Sequence, residues 1–143
     1  MARRQLIVVG VDGSSGSTEA LRWAMRQASA TAAEVTVVAV WEVPTALGYA
    51  LSDDTVDWAA HAREIIDNAM AEAGRCQPSV TVTARIVRGH VGTVLVEESR
   101  GADLLVVGSR GHGMAVGMLL GSVSEYCVHH AACPVVVVGP HRG

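Results

Sequence analysis

Short apolar runs separated by stretches with helical spacing limit what this chain can fold into more than any other feature. Gln5 to Val11, Val35 to Trp41, Leu104 to Val107 and Val135 to Val138 are apolar almost throughout. A strand with one wet face alternates apolar and polar residues, so runs without alternation mark strands covered on both faces. Between them, Leu21, Ala24, Met25 and Ala28 recur at the spacing of one helix face. Thr55 to Ala73 reads as a longer helix, with Trp58, Ala62, Ile65, Ala69 and Ala73 on one side and Gly74 as C-cap. Asp53, Asp54 and Thr55 suit its positive end. Val91, Val94, Leu95 and Glu98 form a short helix ended by Gly101, and Val123, Tyr126, Cys127 and Ala131 mark the inner face of a last one. Val80 to Ile86 differs in alternating, as an edge strand or one with a solvated face does, and Gly89 closes it. Five strands alternating with four helices predict an α/β fold, a doubly wound parallel sheet with helices on both sides.

The 143 residues fit one domain, 1–143, large enough to bury a core. With no Phe in the chain, that core falls to Val, Ala, Leu, Ile and Met. A formal charge of −3 leaves no electrostatic footprint for nucleic acid. No apolar run approaches the roughly 18 residues of a membrane span, and the run after Arg3 and Arg4 is broken at Asp12, too soon for a signal peptide. Cys76, Cys127 and Cys133 are odd in number and lack C-x-x-C spacing, so neither a disulfide framework nor a zinc site is indicated. These features predict a cytoplasmic protein without nucleic-acid or membrane partners. His61 has no partner at ligand spacing. His129 and His130 are adjacent and point in different directions on a helix, which disfavours shared metal binding and suits the negative helix end.

Chemistry concentrates in Val106-Val107-Gly108-Ser109-Arg110-Gly111-His112-Gly113-Met114-Ala115-Val116-Gly117-Met118-Leu119-Leu120-Gly121-Ser122-Val123-Ser124. An apolar strand runs into a glycine-rich loop, and a helix begins at Ser122. Glycines let backbone N–H groups approach a ligand, and a helix N-terminus presents unpaired N–H groups and a positive dipole end. The order suits an anion. It also suits a plain surface loop, since Ser122 and Glu125 form an S-x-x-E capping box. A P-loop is excluded because it needs lysine and the chain has none. A dinucleotide fingerprint needs an acidic residue about 20 positions on, and none follows Glu125. Asp12 is open to two readings: a turn former capping the next helix, or a ligand contact just beyond the carboxyl end of a buried strand.

The spacing Gly108, two residues, Gly111, nine residues, Gly121-Ser122 resembles the nucleotide-binding signature of the ATP-binding branch of the universal stress protein family. The likeness extends from Ile7-Val8-Val9-Gly10-Val11-Asp12-Gly13-Ser14 to Pro134-Val135-Val136-Val137-Val138. The resemblance implies strand order 3-2-1-4-5 and an ATP ligand with its Mg²⁺. By it, Gly108, Gly111, Gly121, Ser122 and Ser124 hold phosphates, with Ser109, Gly113, Met114 and Val123 from the same stretch beside them. Asp12, after Gly10, and the backbone at Val40 meet the nucleoside, although Val40 also reads as a plain core valine. Arg110 is a phosphate fork or a solvated loop arginine. A regulatory role in a stress response, and a homodimer through Val135 to Val138, follow from the likeness and from the apolar character of that last strand. No residue is assigned to catalysis or to a protein-held metal: there is no G-x-S-x-G, no lysine, and no His placed against a nucleophile. Slow ATP hydrolysis and binding of another adenine nucleotide, such as a cyclic one, stand as alternatives. A phosphorelay receiver resembles this architecture but needs a lysine.

Overall fold

The computed structural model describes residues 3–42, 45–46, 49–50, 57–73, 77–111 and 120–140. Their elements are β1 (Leu6–Gly10), α1 (Ser15–Thr31), β2 (Glu34–Trp41), β3 (Thr45–Ala46), β4 (Tyr49–Ala50), α2 (Trp58–Glu72), β5 (Val82–Arg88), α3 (Val91–Ser99), β6 (Leu104–Gly108), α4 (Ser122–His130) and β7 (Val135–Val138). The five-stranded sheet is ordered β5-β2-β1-β6-β7 and every pair in it is parallel. Counted in chain order within that sheet, this is 3-2-1-4-5. The antiparallel pair β3–β4 has no counterpart in the sequence reading, because two-residue strands leave no periodic pattern.

Each two-sided apolar run feeds two cores. On one face Ile7, Val9, Val35, Val37 and Val106 pack with Leu21, Ala24, Met25 and Ala28 of α1 and with Ala62, Ile66 and Ala69 of α2. On the other, Val8, Val38, Leu105 and Val107 pack with Leu95 of α3 and Cys127 of α4. Leu21 and Met25 are fully buried, each contributing about 1.5–3 kcal/mol. β5, the alternating strand, lies at one sheet edge and β7 at the other. Winding reverses between β1 and β6, and the loops leaving these two strands flank the crevice where open α/β sheets take ligands.

Three details differ from the sequence reading. α2 starts at Trp58, three residues beyond Thr55, because the Asp57 carboxylate accepts from Ala60 N at 3.0 Å and caps it there. Its fully buried stripe runs through Ala62, Ile66, Ala69 and Ala73, with Ile65 on the flank. Tyr126 is 37% exposed: α4 centres its inner face on Ser124 and Cys127, leaving Tyr126 to stack on His130 at 4.4 Å. The expected helix opening at Asp53 to Thr55, the Gly74 cap, Cys76, Gly113 and Met114 lie outside the described residues. Among the described residues, no helix is long and apolar enough to cross a membrane.

Candidate functional site

The first wall of the site is the turn after β1. Val11 N donates to Val38 O at 2.9 Å, the last bond before the chain leaves the sheet. Gly13 then takes φ 86, a left-handed conformation that glycine adopts without Cβ strain. Asp12 Oδ1 accepts from Ser14 N at 2.9 Å and from the Ser14 hydroxyl, while Asp12 N donates to Ser17 Oγ. Ser14 Oγ in turn accepts from Ser17 N and caps α1. Asp12 is thus a turn former, and it also lines the cavity described below.

The second wall follows β6. A Cβ on Gly108 would fall 2.8 Å from the Gly16 carbonyl oxygen, and one on Gly111 would fall 2.8 Å from Asp12 Oδ2. Both motif glycines therefore let this loop close on the first one, Gly108 against the Gly16 backbone and Gly111 against the Asp12 carboxylate. Ser109 is buried and ties three segments together. Its N–H donates to Val138 O at 2.8 Å, and its carbonyl accepts from Gly121 N at 2.7 Å and from Ser124 Oγ at 3.2 Å. It holds the site in shape from behind rather than lining it.

The capping box does not form. Gly121 is the N-cap of α4, with φ −75 and ψ 167 and no side-chain cap. Ser122 is therefore the first helical residue, and Glu125 sits in the first turn without reaching back. The physical reason is the Gly121 N–H, already bonded to Ser109 O, which fixes the bend one residue early. Among the described residues, the nearest atoms to a Cβ on Gly121 lie at 3.5 Å or beyond, so the described part of the fold accepts a side chain there.

Between the walls lies a cavity of about 540 Å³, within the roughly 300–1,000 Å³ of small-molecule sites. Of the residues singled out from sequence, Gly10, Asp12, Val40, Gly108, Arg110, Gly111, Gly121, Ser122, Val123 and Ser124 line it. Val40 stands two residues past Val38, whose carbonyl faces β1. Backbone groups alternate direction along a strand, so the Val40 amide and carbonyl face the same side, beyond the last β1 partner, Gly10.

Val11, Ser17, Val38, Val91, Leu95 and Val107 also line the cavity and were missed. Four of them neighbour singled-out residues or share their strand face or turn. Val91 and Leu95 come from α3, four residues apart and hence on one helix face. A Cβ on Gly10 would lie 2.9 Å from Leu95 Cδ1, so the bare end of β1 lets that leucine settle against it. Only the two-sided character of β2 hinted that an apolar partner must cover Val38 and Val40. Away from the cavity, His61, His129 and His130 are exposed, and no group of three His, Cys, Asp or Glu converges among the described residues.

Residues 3–139 match the model of the universal stress protein family. A universal stress protein of Mycobacterium tuberculosis strain H37Rv is 38% identical over 138 residues, covering 92% of this chain and 46% of its own length. One from Mycolicibacterium smegmatis is 36% identical, covering 92% of this chain and 47% of its own length. The chain thus spans about half the length of these curated relatives. Among solved structures, UspA of Lactobacillus plantarum superposes with a TM-score of 0.80 at 24% identity, covering 96% of this chain and 99% of its own. A universal stress protein in complex with cAMP superposes with a TM-score of 0.73 at 28% identity, covering 96% and 98%. An Arabidopsis thaliana member with AMP bound gives a TM-score of 0.64 at 25% identity, covering 96% and 92%. With a match over almost its whole length, carried by the fold as well as by the sequence, the chain belongs to the universal stress protein family.

Proposed function

We propose that this protein is a nucleotide-binding regulator of the universal stress type, with ATP and its Mg²⁺ as the ligand. The observation that best supports this reading is how α4 opens into the cavity. Gly121, Ser122, Val123 and Ser124 bring the start of the helix to the lining, and no side chain caps it. The first-turn N–H groups and the positive dipole end suit a phosphate. In this reading Gly108, Gly111, Gly121, Ser122 and Ser124 hold the phosphates and Arg110 pairs with them. Gly113 and Met114 extend the set from outside the described residues.

Asp12 would repel a phosphate, so its natural partners are nucleoside hydroxyl or amino groups. The Val40 backbone offers a donor and an acceptor to a base edge, beside the apolar wall of Val91 and Leu95. Mg²⁺ arrives with the nucleotide and neutralises phosphate charge.

A cyclic or monophosphate nucleotide is the second reading, favoured by the relatives in complex with cAMP and with AMP. Mass spectrometry of small molecules released on unfolding the purified protein, followed by calorimetric titration with ATP, AMP and cAMP, tests both readings. No adenine compound released, and no heat with any of the three, would sink them. Assembly belongs to the same proposal: β7 sits half-buried at the sheet edge, and a two-fold homodimer through it would cover the edge.

A further inference from the structure

We propose that Tyr126 is a positioning residue for the cavity: it sets the spacing between α3 and α4, and so between the apolar wall and the phosphate end. The proposal rests on the nucleotide reading of the same cavity and adds the residue that holds its two ends in register. Both helices give the cavity their opening turns. Val91 begins α3 and Leu95 follows one turn on, while Ser122, Val123 and Ser124 begin α4, and all five line the cavity. Tyr126 is not on the described lining. It stands three residues past Val123 and four past Ser122, on the same side of α4 and one turn deeper. Its ring meets the other helix at Gly92, the residue after Val91. A Cβ on Gly92 would fall 2.8 Å from Tyr126 Cδ1 and 3.2 Å from Cγ. These atoms are the root of a rigid ring, so the aromatic rests on bare backbone, and Gly92 is buried beneath it.

The seat of α3 is thereby fixed from two sides. Toward the sheet, Leu95 Cδ1 would lie 2.9 Å from a Cβ on Gly10, so α3 comes down on the bare end of β1. Toward α4 the same device recurs, with the ring of Tyr126 coming down on bare Gly92. A closer approach of the two helices overlaps at the ring, and a wider one forfeits the contact. Burial does not account for this ring. Tyr126 is 37% exposed, and its other face is taken by His130 of the same helix, stacked at 4.4 Å. The ring acts as a spacer. A ligand that spans the apolar wall and the start of α4 depends on that spacing, whereas one that fills only the apolar end does not.

Adenosine and AMP are the probes, since they differ by the one group that reaches the start of α4. Calorimetric titration of both, with thermal melts, compares the wild type with Tyr126→Ala, Tyr126→Phe, Gly92→Ala and the Gly92→Ala/Tyr126→Ala double variant. Tyr126→Ala should weaken AMP by roughly tenfold, through lost preorganisation, and leave adenosine within about twofold. Tyr126→Phe should bind both as the wild type does, because the ring and not the hydroxyl makes the contact. Gly92→Ala should also weaken AMP, and the double variant should lose less than the product of the two single losses, since both changes strike one contact. Unchanged AMP affinity in Tyr126→Ala or in Gly92→Ala would overturn the proposal. So would equal losses for adenosine and AMP, or losses that multiply in the double variant. A wild type that binds neither probe removes the nucleotide reading, and this proposal with it.

Discussion

Gly108 packs so closely on Gly16 that a Cβ at position 108 would fall 2.8 Å from the Gly16 carbonyl oxygen and 2.9 Å from its carbonyl carbon. Neither is the end of a flexible side chain, so Gly108→Ala forces β6 and α1 apart. Overpacking of this kind costs about 1–3 kcal/mol, and a thermal melt should fall accordingly. Gly121 behaves differently. Its φ of −75 is open to any residue, and among the described residues an added Cβ would meet nothing closer than 3.5 Å. Gly121→Val should melt within about 1 kcal/mol of wild type, the range of an N-cap change, yet lose ATP binding because the side chain occupies the phosphate approach. Unchanged ATP affinity in a folded Gly121→Val protein would remove Gly121 from the site.

Asp12 shapes the turn after β1 and is proposed to meet the nucleoside, and two substitutions separate these roles. Asp12→Ala deletes the acceptor for Ser14 N and, in the proposed function, the charged contact to the nucleoside. It should lose about 1 kcal/mol of stability as a lost cap does, and about ten- to a hundredfold in ATP affinity, the worth of a charged hydrogen bond. Asp12→Asn keeps an acceptor oxygen for the turn, so it should retain the stability and still bind ATP more weakly. Equal affinities for Asp12→Ala and wild type in calorimetry would leave Asp12 as a turn former only.

Cys127 is fully buried, and burial pushes its thiol up from 9.0 to about 11. A thiol reagent should leave it unmodified in the native protein while reacting on unfolding. The pH dependence follows with a definite sign. The folded state holds this proton more tightly than the unfolded one, so the stabilisation is complete below about pH 9 and is lost as pH rises toward 11. The loss is about 2–3 kcal/mol over that window. Urea melts at pH 8 and pH 10.5 should show a smaller decline for Cys127→Ala than for wild type. An equal decline in both would place the titrating group elsewhere.

β7 is an apolar strand with one side of its backbone paired to β6 and the other at the sheet edge. Edges of this kind invite pairing with a second chain. Sedimentation at micromolar concentration is expected to give a dimer. A monomer there would mean that the edge is tolerated or covered by other means.

Sequence alone determined the class of fold. Runs such as Ile7 to Val9 and Leu105 to Val107 need cover on both faces, and helical spacing between them supplies the cover. That information is local, periodic and read from neighbours in the chain. Ten residues of the cavity lining were reached through the likeness to the family signature, which glycine spacing and an acidic residue at a strand end made legible; Val40, a proposed backbone contact, left no mark of its own. Tertiary structure decided the rest. Val91 and Leu95 join the cavity only because β5 crosses to the far edge of the sheet, so that α3 returns over Val38 and Val40. Ser109 looks like a loop contact in the sequence, but its bonds to Val138, Gly121 and Ser124 place it behind the wall. The Ser122–Glu125 pair satisfies a capping pattern, yet the bond between Gly121 N and Ser109 O sets the helix start one residue away from it. Each of these depends on partners at least 12 positions distant or on one backbone hydrogen bond, and neither leaves a periodic trace in the chain.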